Sequence, residues 1–197
     1  LDGNLIMAVT IDGDGTVTGL STTITNKVLE QFFYPCNGET VTTSEGDITL
    51  PNVTAVQNAS TTFTDLTGSS IAYTPPTGTK TVIYKFCFQH GKPNSGELHI
   101  SNFKFFIDST EVLHSRTTVS AEDPNDIVVF EWPIRIGGTA DTNTGRLASW
   151  SSDKTLKMQI KEHHANYPTL AHEAAWWDSS SNWMLSIPRI GITALST

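Results

Sequence analysis

The run KTVIYKFCFQH, Lys80 to His90, constrains the fold most. Val82, Tyr84, Phe86 and Phe88 alternate on one side of it, with Ile83, Lys85 and Cys87 on the other. A two-residue period in β-branched and aromatic residues is that of a strand. Because both sides are largely apolar, the strand is expected at the centre of a layered structure. TLKMQIKEHH, from Thr155, sets Leu156, Met158 and Ile160 against Lys157, Gln159 and Lys161, so one of its faces is wet. SSIAYTPP, ELHISNFKFFID, EVLHSRTTVS, DIVVFEWPIRIGG and MLSIPRIGITAL read as further strands, and Pro75-Pro76 suit a strand exit.

ETVTTSEGDITLPNVTAVQ reads as a hairpin around Ser44-Glu45-Gly46, while NKVLEQFFYPC fits a helical turn or a first core strand equally. Ahead of these, MAVTIDGDGTVTGLSTTI has an Asp-Gly turn between short alternating runs. The expected fold is all-β, a jelly-roll-type two-sheet β-sandwich spanning 26–197 with a short N-terminal β-arm over 1–25; a closed barrel is the alternative. A chain of 197 residues buries a core of its own without staples.

A net charge of −8 opposes binding to phosphate backbones, so no nucleic acid is expected as a partner. No apolar run reaches the roughly 20 residues of a bilayer span, and membrane insertion is not expected. Cys36 and Cys87 fit no metal spacing and read as buried free thiols rather than a bridge. Asp12 and Asp14 open like a calcium loop, but Thr23 stands where the bidentate Glu belongs, which favours a plain turn.

The six histidines, His90, His99, His114, His163, His164 and His172, show neither His-x-His nor His-Glu-x-x-His spacing. They read as solvated or hydrogen-bonded side chains, and no metal or other cofactor is expected. There is no Gly-x-Ser-x-Gly, and Glu111, Glu131, Asp141 and Glu162 are indistinguishable from surface acids. No catalytic residue is assigned and enzymatic activity is not expected.

Two loops and one hairpin carry the binding candidates. HEAAWWDSSSNWML places Trp177 and Trp183 around Asp178 and Asn182, a combination that can stack on sugar rings and bond their hydroxyls. Burial of these tryptophans in the core or a subunit contact is the competing reading. In IGGTADTNTGRLASWSS, Arg146 either joins that glycan site or holds its own loop through backbone carbonyls. In NFKFFIDSTEVLHSR, a turn centred on Ser109 pairs Phe105 with Leu113 and Ile107 with Glu111. Phe103, Phe105 and Ile107 then face the core, while Lys104, Phe106, Val112, His114 and Arg116 form an outer face read as a subunit contact.

LEQFFYPCNG, SSIAYTPPTGTKTVIYKF, SNFKFFIDSTEV and FEWPIRIGGTADTNTGR together resemble the C-terminal β domains of fibre-like virion proteins of tailed phages, particularly those of marine bacteria. The resemblance implies a viral structural protein, a fibre or capsid decoration displayed on the virion. It further implies a homotrimer that touches the host surface; other virion proteins are expected partners, and host-surface glycans are expected from the tryptophan loop above. A glycan-binding module is the alternative function, and a carbohydrate-cleaving enzyme the third.

Overall fold

The computed structural model describes residues 10–11, 17–18, 27–91, 98–121, 126–175 and 183–196. In chain order the strands are β1 (Thr10–Ile11), β2 (Val17–Thr18), β3 (Val28–Pro35), β4 (Thr40–Thr43), β5 (Gly46–Thr49) and β6 (Gln57–Asn58). There follow β7 (Thr64–Asp65), β8 (Ile71–Tyr73), β9 (Thr81–Gly91), β10 (His99–Ile107), β11 (Thr110–Glu111) and β12 (Thr117–Ala121). The last are β13 (Asp126–Arg135), β14 (Lys154–Glu162), β15 (Leu170–Ala171), β16 (Glu173–Ala175), β17 (Trp183–Leu185) and β18 (Arg189–Leu195). One 3-10 turn, Leu113–Ser115, separates β11 from β12.

β9, the strand apolar on both sides, is the hub of one sheet. β13 pairs along one edge of it, while β18 and then β15 share the other. β3 lies outside β18, so Val28–Pro35 is a strand and not a helical turn. The second sheet centres on β10 and β14, with β11 and β12 along the outer edge of β10 and β7 and β8 along that of β14. From β8 to β15 the chain passes between the sheets at every connection except β10–β11–β12, which stay in the second sheet, a winding in keeping with a jelly roll. In the arm, β1 and β2 pair antiparallel as the Asp-Gly signal indicates, and β4 and β5 close around Ser44-Glu45. The Asp12 and Asp14 positions lie outside the described residues.

Alternation decides which side chains enter the core. Val82, Tyr84, Phe86 and Phe88 of β9 meet Phe103, Phe105 and Ile107 of β10 and Leu156, Met158 and Ile160 of β14 between the sheets. The Tyr84 ring lies 4.9 Å from Phe105, and Phe88 packs edge-on to Phe103 at 5.7 Å. Both cysteines are buried and free, and burial pushes the Cys36 thiol up to about 12.

The hairpin after β10 departs from the expected register. Its turn is Asp108-Ser109, with Ile107 opposite Thr110 and Phe106 opposite Glu111, a one-residue slip from a turn centred on Ser109. Asp108 adopts φ 56°, and its carboxylate accepts bonds from Thr155 N and Lys154 Nζ, which hold that left-handed conformation. A one-residue slip reverses the faces that follow. Val112 is therefore buried, not on the outer face, and Leu113 is exposed instead. The 3-10 turn then serves β10 where β11 and β12 leave a gap. Phe105 N donates to Ser115 Oγ, and Val112 N donates to Phe105 O.

Gly191 allows β18 to pass beneath Phe33: a Cβ there would collide with Phe32 O and the Phe33 Cα. Gly191→Ala is expected to cost about 1–3 kcal/mol, as overpacking does, read from the urea midpoint; an unchanged midpoint would contradict this packing. His172, buried at φ 71°, donates from Nε2 to Thr67 O, and burial lowers its pKa to about 4 from 6.5. Between those values the unfolded chain binds a proton that the folded chain does not. Stability should thus fall as pH drops from 6.5 towards 4, by up to about 1.4 kcal/mol per pH unit from this residue. His172→Asn, which tolerates the same φ, should show a shallower loss in midpoint against pH, and an equal slope would contradict the assignment.

Candidate functional site: the open flank of the sandwich

The two flanks of the sandwich are finished differently. On the flank formed by β3 and β8, Phe32, Tyr73 and Trp150 interlock edge-on at 6.3 and 6.1 Å. Tyr73 donates to Glu30 Oε1 at 2.7 Å, and Trp150 Nε1 donates to Tyr73 O. That flank is closed.

The opposite flank is bordered by β13 and by β12 with the 3-10 turn. A groove of about 570 Å³ runs between them, lined by Phe103, Val119, Val128, Phe130 and Trp132. Among the described strands β13 pairs only with β9; Leu147 N donates to Arg135 O at the far end of its outer edge, and no described strand covers the rest. Its inward residues, Phe130 and Ile134, are buried, whereas Ile127 and Val129 are 65% and 53% exposed along the rim. Pro133, which has no N–H to offer a neighbour, is compatible with an edge position. Glu131 is drawn back to Lys85 at 3.2 Å, which leaves the first half of the edge apolar.

The outer face proposed from NFKFFIDSTEVLHSR is more self-contained than its sequence suggests. Lys104 and Arg116 both pair with Glu111, at 3.1 and 2.6 Å. The Arg116 hydrogen bond, with Lys104 behind it, holds the Glu111 carboxyl below the usual carboxylate range despite some desolvation. Lys104 and Lys161 also lie over the Phe63 ring at 4.4 and 5.3 Å. Phe106 is half-buried, His114 is exposed beside the open groove, and Val112 belongs to the core. These five positions do not form one patch. Lys104, Phe106 and Arg116 stay on the outer face, His114 turns to the flank, and Val112 turns inward.

Of the glycan-site residues, Trp177, Asp178 and Asn182 lie outside the described residues, and Trp183 is described only as a backbone position in β17. Arg146 lines a separate groove with Trp132, Arg135 and Thr144. The loop around it is held mainly by Asp141. Its carboxylate accepts bonds from Asn143 N and Thr144 Oγ1, and its N–H donates to Arg146 O.

The histidines divide into two sets. His114, His163 and His164 are exposed, and the last two follow β14 in a bend rather than pointing to opposite faces of a strand. His90, His99 and His172 are fully buried. His90 and His99 converge with Asp126 at one end of the open flank. A search for ligand spacing along the chain misses this group, because its members come from three strands. A usable signal was present: His90 extends the inward series Val82 to Phe88, and His99 begins the inward series that continues through Phe103, Phe105 and Ile107.

No family model matches the chain, and no curated protein matches it. Among solved structures, a chain of the infectious bursal disease virus Gt strain aligns over 95% of this chain and 46% of its own, with 10% identity and a TM-score of 0.35. A chain of the Gx strain aligns over 96% and 41% with 11% identity and a TM-score of 0.34. This chain spans less than half the length of either, and a match this loose does not bear on function.

Proposed function

We propose that the chain is a viral structural protein, a phage fibre or capsid-decoration protein displayed on the virion, which self-associates through its open flank. The virion role rests on the resemblance of the quoted segments, and one observation carries the self-association: Ile127 and Val129, 65% and 53% exposed, lie on the uncovered first part of the β13 edge beside a groove. Unpaired edges of monomers are blunted by charge, bulges or covering segments, and an exposed apolar edge implies a partner. The partner assigned here is a second copy of the chain, since closed homo-oligomers are the commonest assemblies and a jelly roll presents the same flank on every copy. A trimer, contact with other virion proteins and contact with the host surface belong to the same proposal. So does a non-catalytic role.

Light scattering coupled to size exclusion tests it. The full chain should run as an oligomer, a trimer if it follows the fibre-like virion proteins it resembles. The double substitution Ile127→Glu, Val129→Glu should weaken association roughly a hundredfold or more, since two apolar side chains lose their burial and two charges oppose it. Its circular dichroism should be unchanged. A wild-type chain that stays monomeric at every concentration, or a charged variant that assembles equally well, would contradict the proposal.

A further inference from the structure

At the end of the open flank, β9 finishes, β10 begins and β13 begins. Asp126 of β13 stands directly opposite His90 of β9, and His99 faces both from the other sheet. His90 Nδ1 lies 3.1 Å from His99 Nε2, which lies 3.6 Å from Asp126 Oδ2. The three atoms are all within 4.8 Å of one another. Two imidazole nitrogens and a carboxylate oxygen at these separations match the edges of a tetrahedron, roughly 3.4 Å for bonds of about 2.0–2.1 Å to zinc. The His90–His99 and His99–Asp126 separations of 3.1 and 3.6 Å are close to that edge, and Asp126 is the half-buried member that can adjust.

Two further features point to a cation. Asp126 Oδ2 is buried and has no hydrogen-bond partner among the described residues, because 3.6 Å to His99 is too long for one. A carboxylate oxygen in that position is costly unless a positive charge meets it. On the far side of the His90 ring, Nε2 lies 2.9 Å from Ser101 Oγ, which fixes the ring with Nδ1 aimed at the cluster. Ligating histidines are oriented in this way by a bond at the other nitrogen.

We propose that His90 Nδ1, His99 Nε2 and Asp126 Oδ2 form a binding site for a divalent transition-metal ion, Zn²⁺ by ligand type. Without an ion, the short contact between the two rings requires one of the facing nitrogens to carry a proton. When the ion binds, the ring that carried that proton on its facing nitrogen takes it on its other nitrogen, so both histidines remain neutral imidazoles, and the ion occupies the vacated position while drawing in Asp126. Two imidazoles and a carboxylate suit zinc, with a water completing four-coordination. The ion would join β9 and β13 of one sheet to β10 of the other, fastening the start of the strand that carries Ile127 and Val129. The site is independent of the self-association proposed above, and a monomer would bind metal equally.

The test uses the full chain, stripped with a chelator and titrated with Co²⁺ as an optical probe. One equivalent should give the visible bands of low-coordinate cobalt, lost on addition of Zn²⁺, and Zn²⁺ should raise the thermal midpoint. Asp126→Asn, at a half-buried position, should weaken binding by at least the roughly 10–100-fold that loss of an outer-shell partner costs. His163→Ala with His164→Ala should leave it unchanged. In the unsubstituted protein, nitrogen spectra should show His90 Nδ1 and His99 Nε2 shifting on Zn²⁺ addition, a readout that needs no variant to fold. Absence of saturable Co²⁺ binding, unshifted His90 and His99 nitrogens, or binding abolished by the exposed pair alone would each overturn the proposal.

Discussion

Tyr84 is the contact on which the layers depend. Its ring packs at 4.9 Å on Phe105 of the opposite sheet and at 6.2 Å on Phe130 of the neighbouring strand. Its hydroxyl, fully buried, donates to Ser69 O at 2.6 Å. Ser69 is itself tied to the second sheet, since Met158 N donates to its Oγ and that Oγ donates to Leu66 O. One side chain thus joins β9, β10 and β13, and the segment leading into β8. An aromatic body supplies the apolar area, while its polar end satisfies a carbonyl that would otherwise be buried without a donor.

From that centre the sandwich runs to two unequal flanks. The β3–β8 flank is sealed by Phe32, Tyr73 and Trp150, with Glu30 receiving the Tyr73 hydroxyl. The β13–β12 flank keeps its groove and an apolar strand edge. Charge is managed separately. On the second sheet's outer face Lys104 and Arg116 share Glu111, while Lys154 and Lys157 pair with Asp108 and Asp65, at 2.6–3.1 Å, so most of that basic charge is engaged within the chain. The apolar edge on the open flank has no comparable engagement within the chain.

Much of the fold could be read from residues because alternation is a local property. The inward sets of β9, β10 and β14 follow directly from Lys80–His90, Asn102–Ile107 and Thr155–Ile160. Other features depend on partners far along the chain. The turn at Asp108 is stabilised by Thr155, 47 residues away, and without that bond a turn centred on Ser109 is equally reasonable. A shift of one residue is enough to move Val112 from an outer face to the core. Lys104 and Arg116 read as an available basic patch because their shared partner, Glu111, is identifiable only once β11 folds against β10. The His90, His99 and Asp126 cluster was hidden for the same reason, although the inward parity of both histidines was visible.

Another copy of the chain is proposed to cover the edge of β13. Hydrogen exchange of the β13 amides, followed as the protein is diluted, tests it most directly, with β9 as an internal reference because its amides pair on both edges within one chain. The outward amides of residues 126–132 are expected to be protected in the concentrated protein and to become fast on dilution, while β9 stays slow throughout. Protection along β13 that does not change with concentration would contradict it.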